Sequence, residues 1–146
     1  MTFAFRIHAK DCVGCHACEV ACKQQHELAP GVDLIRVLEK IPEFQPVYCR
    51  HCLRPPCLEA CPTGAISKEM GTVLLDQQKC IGCRACMEAC PFQAIGFDLE
   101  KGVAAKCDMC LRPRVLQGAT PACVSVCPAR CIQFGKAQEL FGRPWP

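Results

Sequence analysis

The apolar and polar positions of this chain alternate over short distances, and the pattern predicts many small elements. Short apolar runs predict five β-strands, at residues 3–9, 65–67, 72–76, 95–98 and 132–134. Between them, four segments predict short helical turns, at residues 18–22, 57–61, 86–90 and 123–127. No stretch approaches the ~20 apolar residues of a membrane span, so we expect no direct membrane insertion.

The remaining segments predict loops and connections of an α+β fold. Pro62, Pro91 and Pro128 each follow a predicted helical turn and should end it. Three longer stretches lack a close cysteine group. We expect a helical or extended piece at residues 34–41, a loop at residues 112–121, and a surface arm at residues 136–146. Trp145 in that arm could anchor a partner or pack onto its own domain.

Cysteine changes this picture, because 16 of the 17 cysteines fall into four tight groups. Four thiolates ligate one [4Fe–4S] cluster, so sixteen can hold four clusters. The groups are Cys12, Cys15, Cys18, Cys22; Cys49, Cys52, Cys57, Cys61; Cys80, Cys83, Cys86, Cys90; and Cys107, Cys110, Cys123, Cys127. The first and third groups share the spacing CxxCxxCxxxC at an offset of 68 positions. Duplication of a two-cluster unit explains this repeat.

Composition and charge support a polypeptide that is organised around cofactors. The 51% of apolar residues includes the 17 cysteines, so the ordinary apolar core is small and the chain without cofactors should be unfolded or molten. The formal charge is +3, but four clusters at about −2 each would bring it to about −5. The basic sequence is therefore no argument for nucleic acid, and no run of five like charges occurs.

Two other uses of cysteine fit the sequence less well. Disulfides are disfavoured by the odd number of cysteines and by an N-terminus without a secretory signal or a twin-arginine pair. We therefore expect a cytoplasmic protein. Structural zinc sites usually take two CxxC pairs each, rather than three cysteines within seven residues plus a distant fourth.

Residues 49–98 resemble a bacterial two-cluster ferredoxin through CRHCLRPPCLEACPTGAI and KCIGCRACMEACPFQAI. In such ferredoxins the fourth cysteine of each run ligates the other cluster. The resemblance implies one cluster on Cys49, Cys52, Cys57 and Cys90, and one on Cys61, Cys80, Cys83 and Cys86. Groups one and four would then share two clusters, one on Cys12, Cys15, Cys18 and Cys127, and one on Cys22, Cys107, Cys110 and Cys123.

This pairing implies that one ferredoxin-like unit is inserted into the other. The inserted unit would span residues 49–98, and the split unit residues 1–48 and 99–146. The alternative pairs neighbouring groups, one with two and three with four. It is disfavoured because the ferredoxin-like continuity runs across groups two and three.

Residues 3–135 as a whole resemble the iron–sulfur subunits of the dimethyl sulfoxide reductase family. The resemblance lies in CVGCHACEVACKQQHELAPGV, in the two ferredoxin-like motifs, and in KCDMCLRPRVLQGATPACVSVCP. Formate dehydrogenase, hydrogenase and tungsten aldehyde oxidoreductase complexes carry similar subunits. The resemblance implies a non-catalytic electron-transfer subunit that serves a molybdenum or tungsten pterin enzyme. A second electron-accepting subunit or further copies of the chain are further possible partners.

Other functions stay open as alternatives. A free soluble polyferredoxin or a self-assembling conducting filament would carry the same clusters, and a cluster-assembly protein would pass them on. No GxGxxG motif, Walker loop or nucleophile pattern stands out.

A few further residues have open roles. We expect Cys131 to be a small buried residue of a strand and not a ligand. His16 and His51 should face solvent or donate to a sulfur. The arginines around the groups could offset cluster charge, dock a partner or be solvated, at Arg50, Arg54, Arg84, Arg112 and Arg114.

Overall fold

The structure is a computed structural model that describes residues 1–142, so Trp145 lies outside the described residues. Its strands are β1 Phe3–Ile7, β2 Ile35–Lys40, β3 Glu43–Tyr48, β4 Ile66–Glu69, β5 Thr72–Leu75, β6 Ile95–Asp98, β7 Val103–Lys106 and β8 Ile132–Lys136. Its helices are α1 Ala17–His26, α2 Pro56–Ala60, α3 Ala85–Ala89, α4 Ala122–Val126 and α5 Ala137–Phe141. Single 3₁₀ turns lie at Ala9–Asp11 and Val115–Gln117.

The strands form four separate antiparallel pairs. Three are hairpins of consecutive strands, β2–β3, β4–β5 and β6–β7. The fourth joins the two ends of the described chain, since β1 pairs with β8 from Phe3 opposite Lys136 to Ile7 opposite Ile132. Two-stranded pairs are marginal by themselves, so these hairpins must gain their stability from what packs between them.

The first four helices pair so that the outer two contact each other and the inner two contact each other. Helix α1 packs against α4, and α2 packs against α3. Most of these helices are a single turn of five residues, too short to be stable without tertiary contacts. The first and last parts of the chain thus share one pair of helices, and the middle part contributes the other.

Each of these two parts of the chain has its own small core of buried apolar residues, and both cores include cysteines. One contains Cys18, Cys22 and Cys131 beside aliphatic side chains such as Leu34 and Ile35. The other contains Cys57 and Cys86 beside aliphatic side chains of the hairpins β4–β5 and β6–β7. Aliphatic packing alone is therefore limited in each half of the molecule.

The two halves meet along a seam between β1 and the β4–β5 turn. The Phe3 amide donates to the Met70 carbonyl at 2.9 Å. Thr72 is fully buried, and its hydroxyl lies 3.6 Å from the Met109 sulfur. Gly71 has a φ of +83°, and a Cβ there would overlap the Thr2 side chain. Glycine at this turn therefore allows the close approach of the two halves.

The predicted strands and helical turns all have counterparts in the structure, with shifted ends. The segment at residues 34–41 is a strand, β2, and its partner β3 was not anticipated. Strand β7 was also missed. The helices α2, α3 and α4 each end one residue before their last cysteine, in agreement with the proline that follows.

The surface arm predicted from residue 136 is wrong in its first part. Residues Ala137–Phe141 form α5, which packs against β1 and β8. Ala137 is almost fully buried, and its amide donates to the Thr2 carbonyl at 2.9 Å. This segment therefore closes the end of the β1–β8 ladder. Among the helices at residues 1–142, none combines the length and apolar character needed to cross a membrane.

Candidate metal centres

Sixteen cysteines converge in four places, and each place takes three from one sequence group and one from another. One cavity is lined by Cys12, Cys15 and Cys18 together with Cys127. A second is lined by Cys107, Cys110 and Cys123 together with Cys22. A third is lined by Cys80, Cys83 and Cys86 together with Cys61. Each of these three cavities thus brings three thiols of one sequence group to one thiol of another.

The remaining four cysteines also lie together, as the electrostatics of their thiols show. Burial raises the pKa of Cys52, and the neighbouring Cys49 and Cys90 raise it further. Burial also raises the pKa of Cys57 to about 11, with Cys49 and Cys90 again contributing in the same direction and Lys106 opposing. Cys90 of the third group therefore lies beside three cysteines of the second group.

Each helix that carries cysteines divides them between two places. In α1, Cys18 faces one cavity and Cys22 another. Cys123 in α4 lines the same cavity as Cys22. Cys127, just after α4, lines the same cavity as Cys18. Residues four apart are about 6 Å apart along the axis of a helix, so one turn can serve two neighbouring centres.

The repeated CxxCxxC loops adopt the same backbone conformation. Gly14 and Gly82 have φ of +69° and +71°, and His16 and Arg84, which precede α1 and α3, have φ of +59° and +62°. A Cβ on Gly82 would overlap the Gly102 carbonyl oxygen. The glycine is thus required both by its φ and by the lack of space.

The donor chemistry fits iron–sulfur clusters. Burial raises the pKa of Cys22 and of Cys123 to about 12, with Cys110 contributing next in both cases, and raises the pKa of Cys107 well above its usual value. Such thiols form thiolates readily only when a bound cation stabilises them. Backbone amides also reach the sulfurs, from Ala104 to Cys80 at 3.5 Å and from Met109 to Cys107 at 3.3 Å.

Two of the four places meet at the seam between the halves of the molecule. After burial, the nearby Cys49 is the largest influence that raises the pKa of Cys107, so the second and fourth sequence groups meet at the seam. Lys106 is buried there and donates to the carbonyls of Val73 and, at 2.7 Å, Cys107. Cys15 and Cys83 are the exposed cysteines of residues 1–142, and they belong to the two other places, one in each half of the molecule.

His16 and His51, for which the sequence predicts the same role, have different surroundings in the structure. His16 is partly exposed and lies 2.9 Å from Glu19 and 3.1 Å from Glu39. His51 is buried with 7% exposure, so a solvent-facing position is wrong for it. Its Nδ1 accepts a hydrogen bond from the Val73 amide at 3.0 Å, and its Nε2 has no partner among the described residues. Burial, followed by Lys106 and Lys68, lowers the pKa of His51.

A third histidine beside the thiols was missed by the sequence. His26 Nε2 lies 3.4 Å from the Cys110 sulfur and 3.4 Å from the Asp108 carboxylate. His26 ends α1 and Cys110 is 84 positions away. Only the packing of α1 against the fourth group brings them together, so no local motif could have indicated the contact.

Cys131 is buried, as expected, but lies one residue before β8 and not within the strand. Its sulfur lies 3.6 Å from that of Cys127, at the wall of the cavity that Cys12 shares. Burial and the hydrogen bond to Cys127 raise the pKa of Cys131 to about 12. It is thus a fifth thiol at a place that already has four.

The arginines around the groups have varied contacts. Arg50 stacks over the rings of Tyr48 and Phe92, and Arg84 over that of Phe97. Arg112 pairs with Glu69 at 2.8 Å across the seam. Arg114 donates to the Thr120 carbonyl at 2.6 Å, and Arg54 is exposed.

Comparison with known proteins identifies the same chemistry. Two families described as 4Fe-4S dicluster domains match, one at residues 41–137 and one at residues 11–65. The thiosulfate reductase electron transfer subunit PhsB of Salmonella typhi is 40% identical over 147 residues, which cover 93% of this chain and 77% of the relative.

Two further relatives come from Escherichia coli K12. The probable anaerobic dimethyl sulfoxide reductase protein YnfG is 38% identical, and a polypeptide of the anaerobic dimethyl sulfoxide reductase itself is 37% identical. Both alignments cover 94% of this chain and 75% of the relative. This protein therefore belongs to the 4Fe-4S dicluster family, as an electron-transfer iron–sulfur subunit of the dimethyl sulfoxide and thiosulfate reductase type that carries four [4Fe–4S] clusters.

Proposed function

We propose that each of the four convergent thiol sets ligates one cluster and that the clusters relay single electrons through the chain. The single observation that carries this is the convergence itself, since three cavities each present three cysteines of one group and one of another. The ligand sets are Cys80, Cys83, Cys86, Cys61 for cluster A; Cys49, Cys52, Cys57, Cys90 for cluster B; Cys107, Cys110, Cys123, Cys22 for cluster C; and Cys12, Cys15, Cys18, Cys127 for cluster D.

The same crosswise pairing supports an inserted ferredoxin-like unit at residues 49–98 within a split unit of residues 1–48 and 99–146. The pairing of β1 with β8 and of α1 with α4 is consistent with the split unit. The pairing of α2 with α3 is consistent with the inserted unit. The β6–β7 hairpin continues from Asp98 to Val103, so the connection between the units would be a hairpin that both share.

The proposed order of electron transfer is A, B, C, D, or the reverse. Helices α2 and α3 link clusters A and B, and helices α1 and α4 link clusters C and D. The proximity of Cys49 and Cys107 supports contact between B and C. The exposed thiols Cys15 and Cys83 belong to D and A, which suits transfer to partners at the two ends. Adjacent centres would be on the order of 10 Å apart.

A paired-variant experiment tests the ligand sets. Replacing Cys57 and Cys90 together by alanine removes two ligands of cluster B, so three intact clusters should remain. Replacing Cys86 and Cys90 together removes one ligand each from A and B, so two should remain. The count is made by anaerobic native mass spectrometry. Pairing within sequence groups predicts the reverse counts, and that result would rule out the crosswise arrangement.

We further propose that the chain does no bond chemistry and serves a catalytic oxidoreductase subunit, with a molybdenum or tungsten pterin enzyme as the favoured partner. The relatives named as electron transfer or reductase chains support this role. Purification of the native chain under anaerobic conditions should yield a stoichiometric catalytic subunit. Isolation of the chain alone, with fast exchange among unrelated enzymes, would favour a free polyferredoxin instead, and polymers in electron micrographs would favour a filament.

The proposed location is the cytoplasm. None of the seventeen cysteines is in a disulfide, which suits a reducing compartment. Fractionation of cells that express the chain tests this, and recovery in the periplasm would contradict it.

A further inference from the structure

His51 is a buried imidazole inside the ligand loop of cluster B. It lies between Cys49 and Cys52 in sequence and has 7% exposure. Its ring packs 6.2 Å from that of Phe5 on β1, so it occupies the seam between the two halves of the molecule. A polar side chain in such a position needs partners for both ring nitrogens.

The hydrogen-bond network assigns the position of the ring proton. Nδ1 accepts from the Val73 amide at 3.0 Å, so Nδ1 carries a lone pair and no proton. The proton of the neutral ring is therefore on Nε2. Nε2 is buried and has no acceptor among the described residues. The ring thus presents a fixed N–H donor that the polypeptide itself leaves unsatisfied.

The polar groups around the ring are poor candidates for the missing acceptor. The two cations that act on His51, Lys106 and Lys68, are themselves donors. The Lys106 ammonium donates to the Val73 carbonyl oxygen. The Lys68 ammonium donates to the carbonyl oxygens of Cys52 and Leu53, at 3.1 and 2.8 Å. The neighbouring Phe5 ring is apolar. Sulfur is the acceptor that remains close to this loop once a cluster is bound.

We propose that the Nε2–H of His51 donates a hydrogen bond to a sulfur of cluster B and thereby raises the reduction potential of that cluster. This rests on the proposed ligand set of Cys49, Cys52, Cys57 and Cys90. Reduction adds negative charge to the cluster, and a fixed donor stabilises the reduced form more than the oxidised form. His51 is thus a positioning residue for electron flow, because it sets the potential at the step where the two halves exchange electrons.

Redox titration of the four-cluster chain, followed by electron paramagnetic resonance, tests the proposal. His51→Asn can still accept from Val73 but places no donor at the Nε2 position. It should make reduction of one cluster about tenfold less favourable, a shift of about 59 mV for a one-electron couple, and leave the other three unchanged. His51→Gln can place an amide N–H near the Nε2 position and should restore part of the shift.

A matched control is available at His16, which also lies between two predicted ligands but is partly exposed and paired with Glu19 and Glu39. His16→Asn should leave the potential of cluster B unchanged. Four unchanged potentials in a fully loaded His51→Asn variant would overturn the proposal and indicate a buried water as the acceptor. Equal shifts in the Asn and Gln variants would also overturn it, because they would indicate a purely structural role.

A measurement on the wild-type protein avoids dependence on the stability of the variants. With ¹⁵N-labelled histidine, the reduced protein should show hyperfine coupling of histidine nitrogen to a cluster, and at least one such coupling should persist in His26→Gln, which removes the histidine beside Cys110. Absence of any coupling, or its loss in His26→Gln, would contradict the proposal. Iron and sulfide content and the paired cysteine variants report separately on the ligand sets, so a failure of either proposal can be recognised.

Discussion

At the scale of single residues, the thiols of one ligand set differ strongly in their surroundings. Burial acts to raise the pKa of Cys61, but hydrogen bonds from the Thr63 side chain and from following backbone amides outweigh it and lower the pKa. The pKa of Cys127 is lowered in the same way. Burial raises it, but hydrogen bonds from the Cys131 side chain and from backbone amides at Cys131 and Ile132 lower it by more. Both cysteines precede a proline, and the segment that turns back after that proline supplies the donors. These two thiols therefore form thiolates more readily than the deeply buried thiols Cys22 and Cys123.

Cys131 provides a test of how many ligands the site of cluster D needs. Cys131→Ala should retain four clusters, about 16 iron atoms per chain, because Cys12, Cys15, Cys18 and Cys127 already complete the set. The loss of one buried sulfur should cost about 1–2 kcal/mol of stability. Iron analysis and thermal denaturation under anaerobic conditions measure both. A fall below about 16 iron atoms, through loss of one iron or of the whole cluster as expected for Cys127→Ala, would identify Cys131 as a ligand.

His16 predicts a pH dependence of stability with a defined sign. Hydrogen bonds to Glu19 and then Glu39 raise the pKa of His16 above its usual value of 6.5. Its stabilising contribution is therefore complete below that value and is lost as the pH rises through the raised folded-state pKa. Between about pH 6 and about pH 9, the difference in melting temperature between wild type and His16→Gln should shrink. A difference that stays constant over this range would contradict the assignment.

At the scale of elements, the glycine of each CxxCxxC loop fixes the shape of the ligand cradle. Gly82→Ala brings a Cβ against the Gly102 carbonyl oxygen and should abolish or displace cluster A. Gly64→Ala is the matched control near the same cluster, since it also has positive φ but has open space around it. The control should cost only about 1–2 kcal/mol. Cluster content of the two variants, counted by iron analysis, should differ, and equal loss in both would show that backbone strain alone matters.

The elements that the sequence predicted well are those tied to cysteine spacing. The cysteines of α2, α3 and α4 lie one helical turn apart and are followed by proline, so local chemistry decides where these helices form. The strands β3 and β7 were missed because their residues gain stability only from a partner strand. Helix α5 was missed because it depends on packing against β1, more than 130 positions away. The orphaned Nε2 of His51 likewise depends on Val73 and Phe5, which local sequence cannot bring together.

At the scale of the whole molecule, the clusters take the place of an aliphatic core. Both small cores contain cysteines among their buried members, and the single-turn helices have little stability of their own. Anaerobic removal of iron with a chelator should therefore unfold the protein, with loss of most helical circular dichroism and exposure of apolar surface to a fluorescent dye. A native spectrum and cooperative melting that persist after complete iron removal would show that the polypeptide alone carries the fold.

The central claim is that one chain of 146 residues holds four cubane clusters. Native mass spectrometry of the anaerobically purified protein tests it most directly, because it counts iron and sulfide together in the intact molecule. The account predicts a dominant species with the mass of the polypeptide plus four [4Fe–4S] clusters. A folded protein that carries zinc, or no more than two clusters at full metal loading, would contradict it.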